Sequence, residues 1–277
     1  MAGGTTKLKS GTSAQNLTEQ MTVQESVAQD YFSGSGVLVG AFNDVIRNAI
    51  RGDNSPGKGY VQGDSMNASI IAMCLEGRFS KGTIKARDID PNLVINYASC
   101  HDNYTLYDQL VQTINGSTLK VAYTQAEALV FFSEGVPFIQ EGEDFMRSKY
   151  NATTGKYDGN SYISGDYVNA MDYSLKVKNH NLFEKVKELI AVRKAESSLR
   201  LASRSEISEK LKDVSFAGGV ISYSVDDVIV IHTINETTFK LDGTYEIVYS
   251  NIRDVYGTVD SEITLSANES VLLKKVG

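Results

Sequence analysis

The chain up to about residue 198 alternates short apolar runs with stretches in which apolar residues recur every three or four positions. Such runs are typical of buried strands, and such stretches are typical of helices that pack on one face. The predicted strands are Val37–Phe42, Leu93–Ala98 and Val136–Ile139. The predicted helices are Val45–Ile50, Ala68–Leu75, Thr105–Ile114, Ala122–Phe132 and Phe183–Arg193. This order predicts right-handed βαβ units and a parallel sheet.

After about residue 199, short β-branched segments follow one another at intervals near ten residues, separated by Asp, Gly or Asn. This spacing is typical of an antiparallel β-sandwich. The predicted strands are Val220–Val225, Val228–Thr233, Thr244–Ser250, Val255–Val259 and Ser270–Lys275, after a partly helical stretch, Leu199–Val214. We therefore predict an α/β part over residues 1–198, whose polar start (1–34) is a loop, and a β-sandwich domain over residues 199–277.

The α/β part is short for the fold that its pattern suggests. A complete (β/α)8 barrel takes about 250 residues, and this part has fewer than 200. Three parallel strands are also too few for a sheet that is buried on both faces. The sequence therefore predicts a portion of a larger α/β fold with open sheet edges, and we expect this portion to be only marginally stable alone.

Charge and composition argue against several classes of function. The 277 residues carry 34 Asp and Glu against 27 Lys and Arg, a net charge of −7, which argues against a nucleic-acid partner. No apolar run approaches the roughly 18 residues of a membrane span, so we expect no membrane partner. The opening lacks the apolar core of a secretory signal, so we expect a cytoplasmic location for this chain. Cys74 and Cys100 lack metal-binding spacing and are expected to be buried thiols.

The segment NYASCHDN, residues 96–103, follows the second predicted strand of the parallel sheet. Ligands bind at the carboxyl ends of such strands, and His101 with Asp102 would place a hydrogen-bonding pair there. The alternative is structural, because Asp102 or Asn103 could instead cap the following helix. The residues alone leave both interpretations open.

A second polar segment, residues 140–147, follows the third predicted strand and leads into a long loop. A structureless stretch of roughly 30 residues is uncommon and is usually functional. This one contains Tyr150, Tyr157, Tyr162, Tyr167 and Tyr173. Ring faces beside carboxylates and amides suit a sugar-binding site, although most of these tyrosines could equally be half-buried loop anchors.

Several motifs together resemble the type I pullulanases, a family of glycoside hydrolases in the alpha-amylase superfamily. They are GAFNDVIRNAIRG at 40–52, HDNYTLYD at 101–108, GVPFIQEGEDFMRSK at 135–149, NSY at 160–162 and DYVNAMD at 166–172. The resemblance is strong over about residues 34–198, and the β-rich end resembles the C-terminal sandwich of the family. It implies that the α/β part corresponds to about strands six to eight of a (β/α)8 barrel.

The resemblance also implies an activity, retaining hydrolysis of α-1,6-glucosidic bonds in pullulan, glycogen or amylopectin-derived dextrins. Asp102 matches the third catalytic carboxylate and His101 matches the histidine at the cleavage subsite, where both would stabilise the transition state. Asn103, Arg147, Asn160 and Tyr162 match substrate-binding positions. The resemblance implies no cofactor; some relatives bind calcium, but no acidic loop with EF-hand-like spacing occurs here.

In one respect the chain departs from the family. The nucleophile Asp and the acid/base Glu of the family belong to strands four and five, and residues 2–8 resemble the segment just after the acid/base motif. We therefore expect this chain to lack both carboxylates and to be inactive alone, as part of a longer parent that could be secreted. The alternative is a non-catalytic glucan-binding subunit, or one that completes a barrel with an N-terminal half.

Overall fold

The computed structural model describes residues 7–9, 12–13, 41–54, 57–78 and 90–277. Most of the predicted loop over residues 1–34 lies outside this range, as do residues 37–40 of the first predicted strand. Within residues 1–34, β1 (Lys7–Lys9) and β2 (Thr12–Ser13) pair antiparallel, so these few residues are strands and not loop.

The α/β part contains a three-stranded parallel sheet in the order β3–β4–β5. The strands are β3 (Ala41–Phe42), β4 (Val94–Tyr97) and β5 (Val136–Phe138). All three fall inside the predicted apolar runs. They pair in parallel, which confirms the predicted parallel sheet. The central strand β4 carries the segment predicted to hold the functional residues.

Helices connect and cover these strands. They are α1 (Asp44–Arg51), α2 (Ala68–Leu75), α3 (Leu106–Val111), α4 (Thr118–Phe131), α5 (Asp166–Asn169), α6 (Ser174–Lys178), α7 (His180–Ala195) and α8 (Arg204–Lys210). Side chains from α1, α2, α4 and α7 share one hydrophobic cluster with the later β-sheet. The five predicted helices are therefore present; Ala68–Leu75 has the predicted bounds, and the other four have shifted ends.

The stretch after residue 139 is not structureless, contrary to the prediction. A small hairpin of β6 (Tyr150–Asn151) and β7 (Lys156–Tyr157) is followed by α5 and α6. Its turn is stabilised locally, because the Asn151 side chain accepts from the backbone amide of Thr153 at 3.0 Å. Gly155, with a φ of 68°, occupies a left-handed position that suits glycine.

Residues 211–275 form a six-stranded antiparallel sheet in the order β12–β11–β13–β10–β9–β8. The strands are β8 (Leu211–Ser215), β9 (Val220–Val225), β10 (Val228–Thr233), β11 (Thr237–Ser250), β12 (Thr258–Leu265) and β13 (Ser270–Lys275). β8 was not predicted, β11 is longer than expected, and β12 lies C-terminal to the predicted Val255–Val259. The antiparallel class is confirmed; the closed sandwich stays a prediction.

The junction between the two parts is buried and hydrogen-bonded. The Tyr60 hydroxyl donates to the backbone oxygen of Gly219 at 2.7 Å, and the Gln125 side chain donates to that of Thr233 at 2.8 Å. The Tyr223 hydroxyl donates to the backbone oxygen of Phe132. Because unpaired polar groups are costly in such a place, these bonds fix how the sheet sits on the helices. A domain boundary at residue 198 stays a prediction.

Candidate functional site

The predicted pair lies where strand β4 ends. Ala98, Ser99 and Cys100 are buried, and the chain then emerges at His101 and Asp102. His101 Nε2 lies 3.5 Å from Asp102 Oδ2, and the two side chains are 77% and 72% exposed. A pair this exposed contributes little to stability. In the described part of the chain neither side chain has another hydrogen bond, so both are free to meet a ligand.

The helix-cap alternative is wrong. Helix α3 is capped by Thr105, whose hydroxyl oxygen accepts from the backbone amide of Asp108 at 3.1 Å. Neither Asp102 nor Asn103 makes that bond, because the cap must lie directly before the first helical residue, Leu106. A structural role as cap therefore does not account for the side chains at this strand end.

The turn that carries the pair is held by a buried ammonium group. Lys149 Nζ donates to the backbone oxygens of His101 and Asn103, at 2.9 and 3.0 Å, and its side chain is buried. Asn103 has a φ of 65°, a left-handed conformation that asparagine tolerates better than most residues. Burial, together with the nearby charge of Arg147, lowers the pKa of Lys149. The turn geometry thus depends on one charged side chain from another loop.

Asp108 places that lysine. Its carboxylate accepts from the Ser148 hydroxyl at 2.5 Å and from the backbone amide of Lys149 at 2.7 Å. Burial raises the pKa of Asp108, and these two hydrogen bonds oppose the rise. The first turn of α3 and the segment 148–149 are therefore tied together behind His101 and Asp102.

A pair of buried carboxyl groups lies beneath the strand ends. Glu143 Oε2 accepts from the Ser99 hydroxyl at 2.6 Å and from the backbone amide of Gln140 at 3.0 Å, which joins the ends of β4 and β5. Burial raises the pKa of Glu143 to about 7. Burial and the charge of Glu143 raise the pKa of Glu127 well above its ordinary value, which favours the protonated form of Glu127.

Asn103 and Asn160, two predicted substrate-binding residues, line the same cleft of about 330 Å³. We call this the asparagine cleft; its other lining residues are Asn54, Tyr104, Asp158 and Gly159. A Cβ atom at Gly159 would lie 3.1 Å from the Tyr104 ring, so glycine lets the loop approach the ring face closely. Amide groups beside an open aromatic ring can bind sugar hydroxyls and a sugar ring together.

Arg147 and Tyr162, the other two predicted substrate-binding residues, lie elsewhere on the loop. The Arg147 guanidinium donates to the backbone oxygen of Asn169 at 2.8 Å and so positions the loop. Tyr162 is 80% exposed. Tyr167 and Tyr173 are exposed as well, and Tyr173 donates to Glu141 at 2.9 Å. The binding roles of Arg147 and Tyr162 stay predictions.

The described residues also bear on metal binding, membrane spans and free thiols. Over residues 41–54, 57–78 and 90–277, no three His, Cys, Asp or Glu side chains are grouped so that they could hold a metal ion. Within the same ranges, no helix has the length and hydropathy needed to cross a membrane. Cys74 and Cys100 are buried free thiols, as predicted.

The groups that hold the site had no role predicted from the sequence. Asp108 and Lys149 stood inside recognised motifs, and Glu127 stood inside a predicted helix. Their partners are distant in sequence: Lys149 lies 48 residues from His101, and Glu143 lies 44 residues from Ser99. The only available signal was a lysine and an aspartate within otherwise site-forming motifs.

No protein-family model matches the chain. In sequence it is 29% identical to the pullulanase of Bacillus subtilis over 208 residues, which are 70% of this chain and 28% of that protein. It is 36% identical to the pullulanase of Klebsiella aerogenes over 97 residues, which are 34% of this chain and 8% of that protein. The matched segments therefore span less than a third of the length of these two relatives.

The structural comparison agrees. A solved pullulanase from Bacillus acidopullulyticus superposes with a TM-score of 0.74 at 26% identity, over 85% of this chain and 30% of that one. The chain is a relative of the pullulanases. It matches their C-terminal portion. A pullulanase from Anoxybacillus sp. LM18-11, solved with maltotetraose, has the same fold over 98% of this chain and 38% of that one, with a TM-score of 0.78 at 21% identity.

Replacing Lys149 tests how the turn at His101, Asp102 and Asn103 is held. Lys149→Met keeps the stem but removes the ammonium that binds the oxygens of His101 and Asn103. Hydrogen bonds to charged groups contribute about 1.5–3 kcal/mol, so we expect a loss of this size in the free energy of unfolding, measured in urea. Amide exchange at residues 101–104 should also rise. Lys156→Met, at an exposed position on β7, is the control. Equal stability of the two variants would contradict this role.

The carboxyl pair predicts a pH dependence. Glu143 has an ordinary pKa of 4.5 when unfolded and about 7 when folded, so the folded state holds an extra proton between these values. Stability therefore falls as the pH rises from about 4.5 through 7. Glu127→Gln has a side-chain amide that cannot ionise. This variant should therefore make the decline shallower by up to about 1.4 kcal/mol per pH unit. The measurement is urea unfolding at a series of pH values.

Glu209→Gln, at an exposed position on α8, is the matched control for this change and should leave the slope as it is. Parallel pH profiles for the wild type and Glu127→Gln would show that Glu127 does not hold a proton in the folded state that it loses on unfolding.

Proposed function

We propose that this chain supplies the C-terminal part of an α-glucan debranching hydrolase that cleaves α-1,6-glucosidic bonds. One observation carries the proposal: His101 and Asp102 stand exposed and otherwise unpaired at the carboxyl end of a parallel strand, on a turn that Lys149 holds. Burying the Lys149 ammonium to hold this turn is costly, and the exposed side chains of His101 and Asp102 can form hydrogen bonds. This arrangement favours a ligand-binding role.

In this proposal Asp102 and His101 bind the glucosyl unit at the bond to be cleaved. Asp102 accepts hydrogen bonds from ring hydroxyls, and His101 donates one. Bonds to sugar hydroxyls that tighten as positive charge develops on the sugar ring lower the barrier without entering the covalent chemistry. Asn103 and Asn160, from the asparagine cleft, would bind the neighbouring unit.

Retaining hydrolysis needs two further carboxyl groups about 5–5.5 Å apart. The carboxylates that the structure describes near the pair already have structural partners: Asp108 binds Ser148, Glu143 binds Ser99, and Asp158 binds Ser164 at 2.6 Å. We place the nucleophile and the acid/base outside these 277 residues, and we propose that the chain alone does not hydrolyse glucans.

The relatives support an α-glucan as the ligand. Besides the maltotetraose complex, the pullulanase of Bacillus subtilis has been solved with maltose; at 24% identity and a TM-score of 0.75 it covers 86% of this chain and 35% of its own. We propose that the same class of ligand, an α-linked glucose chain, binds here.

We also propose that β3, β4 and β5 correspond to strands six to eight of a (β/α)8 barrel, followed by a sandwich. The support is one face of the parallel sheet. Its register aligns Phe42 with Ile95 and Tyr97 with Phe138, and Val136 lies beside Ile95. Only Tyr97 of these five is buried by the described residues, and Val136 is 40% exposed. In a closed barrel this apolar face would be inside.

The same half-covered face favours the second candidate, a subunit that completes a barrel with an N-terminal half made separately. Co-expression with the N-terminal portion of a pullulanase tests it. A stable complex with higher solubility is expected, and no complex would exclude this candidate.

The primary proposal predicts binding without turnover. The chain should release no reducing ends from pullulan but should bind maltotetraose in calorimetric titration. Asp102→Asn should weaken this binding at least tenfold, roughly 1.4 kcal/mol, because the amide loses an accepting oxygen and the charge. Asp254→Asn, at an exposed position near the β-sheet, is the control. Pullulan cleavage that Asp102→Asn abolishes, or equal binding by both variants, would contradict the proposal.

A further inference from the structure

A second cavity, of about 600 Å³, is lined in part by the small hairpin. We call it the tyrosine pocket. Its floor is made by Tyr107, Leu119, Met146, Tyr150, Tyr157 and Leu175. We propose that the tyrosine pocket is a second α-glucan site, which takes further glucosyl units of a chain bound at the asparagine cleft. This inference rests on the proposed function.

The three tyrosines present open ring faces and free hydroxyl groups. Tyr150 and Tyr157 are directly opposite each other in the β6–β7 pair, with ring centroids 5.2 Å apart at 62°. Tyr107 joins them from α3, near enough that it contributes to a raised pKa at Tyr157, where burial is the main cause. In the part of the chain that the structure describes, none of the three hydroxyls has a hydrogen-bond partner. The floor thus offers stacking surfaces and unused hydrogen-bonding groups together.

Polar groups also line the tyrosine pocket. They are Lys120 and Lys178, which are both exposed, together with Ser148 and Asn179. A glucose ring has apolar C–H faces and a hydroxyl edge. Tyrosine rings can stack on the faces, and ammonium and phenol groups can bind the edge. The cavity volume lies in the usual range for small-ligand sites and exceeds that of the asparagine cleft, so it can accept more than a single sugar ring.

The linings of the two cavities are neighbours along the chain at two places. Tyr157 lines the tyrosine pocket while the next residue, Asp158, lines the asparagine cleft. Tyr104 lines the cleft, and Tyr107, three residues later, lines the pocket. The Ser148 hydroxyl donates to Asp108, which ties the segment before the hairpin to the residue after Tyr107. Because the two linings adjoin in the chain at both places, we expect a glucan chain bound in one cavity to reach the other, and this favours an α-glucan as the occupant of the pocket.

The test is calorimetric titration of the full chain with maltotetraose, using Tyr150→Ala, Asp102→Asn and the double variant. Tyr150 is 47% exposed, so its truncation spares the core. We expect Tyr150→Ala to weaken binding at least fivefold, and to weaken what remains in Asp102→Asn by a similar factor. Tyr150→Phe should lose less, because it keeps the ring. Phe216→Ala, which removes an aromatic ring 51% exposed near the β-sheet, is the control and should bind as the wild type does.

The outcomes separate the two proposals. If Asp102→Asn weakens binding but Tyr150→Ala binds as the control does, the tyrosine pocket is not a glucan site and the proposed function stands. If Tyr150→Ala abolishes binding while Asp102→Asn has no effect, the pocket binds glucan and the proposed role of Asp102 fails. Binding of glucose 6-phosphate in the pocket with no binding of maltotetraose would overturn the inference, since the two lysines would then select an anion.

Discussion

The candidate site depends on the ammonium group of Lys149 beneath the turn that follows strand β4. Burying an ammonium is costly unless its hydrogen bonds are made, and here the oxygens of His101 and Asn103 make two of them. Asn103, which carries one of these oxygens, takes a left-handed conformation. The backbone of the turn is thus held by the buried ammonium, while the side chains of His101 and Asp102 are exposed.

A second polar layer supports the first. Ser99 and Gln140 extend from neighbouring strands and meet on the Glu143 carboxylate, and the Tyr123 hydroxyl on α4 donates to the backbone oxygen of Glu143 at 2.6 Å. Arg51, buried on α1, donates to the backbone oxygen of Ala98 at 2.6 Å. Strand ends, helix α1 and helix α4 are thereby fixed relative to one another by hydrogen bonds in a region of low dielectric, where each bond is strong and each unmet group is expensive. Such a base is rigid enough to present a binding surface.

The sequence predicted the strands and helices that are determined by residues close together in the chain. The strands Val220–Val225, Val228–Thr233 and Ser270–Lys275 and the helix Ala68–Leu75 have the predicted bounds, because each is a compact apolar segment between clear breaks. β8 and the first half of β11 were missed because exposed charged residues interrupt their apolar ones. His101 and Asp102 were predictable from their place after an apolar strand. Lys149 and Glu127 were not, since only the folded chain brings them to their partners.

The parallel sheet supports the proposal that the site is part of a larger catalytic centre. Its apolar face is half covered by the described residues, while Asn43, Val94 and Asn96 on the opposite face are buried, and Asn96 is bonded to Asn43 and Ser133. An asymmetric sheet of this kind suits a segment of a barrel, whose active site collects residues from several strand ends.

The most direct test is a crystal structure of the chain with bound maltotetraose. We expect a glucosyl unit whose hydroxyls lie within hydrogen-bond distance of the Asp102 carboxylate and of His101. The turn that carries these two residues should still be held by Lys149. A maltotetraose bound elsewhere, with Asp102 facing only solvent, would contradict it.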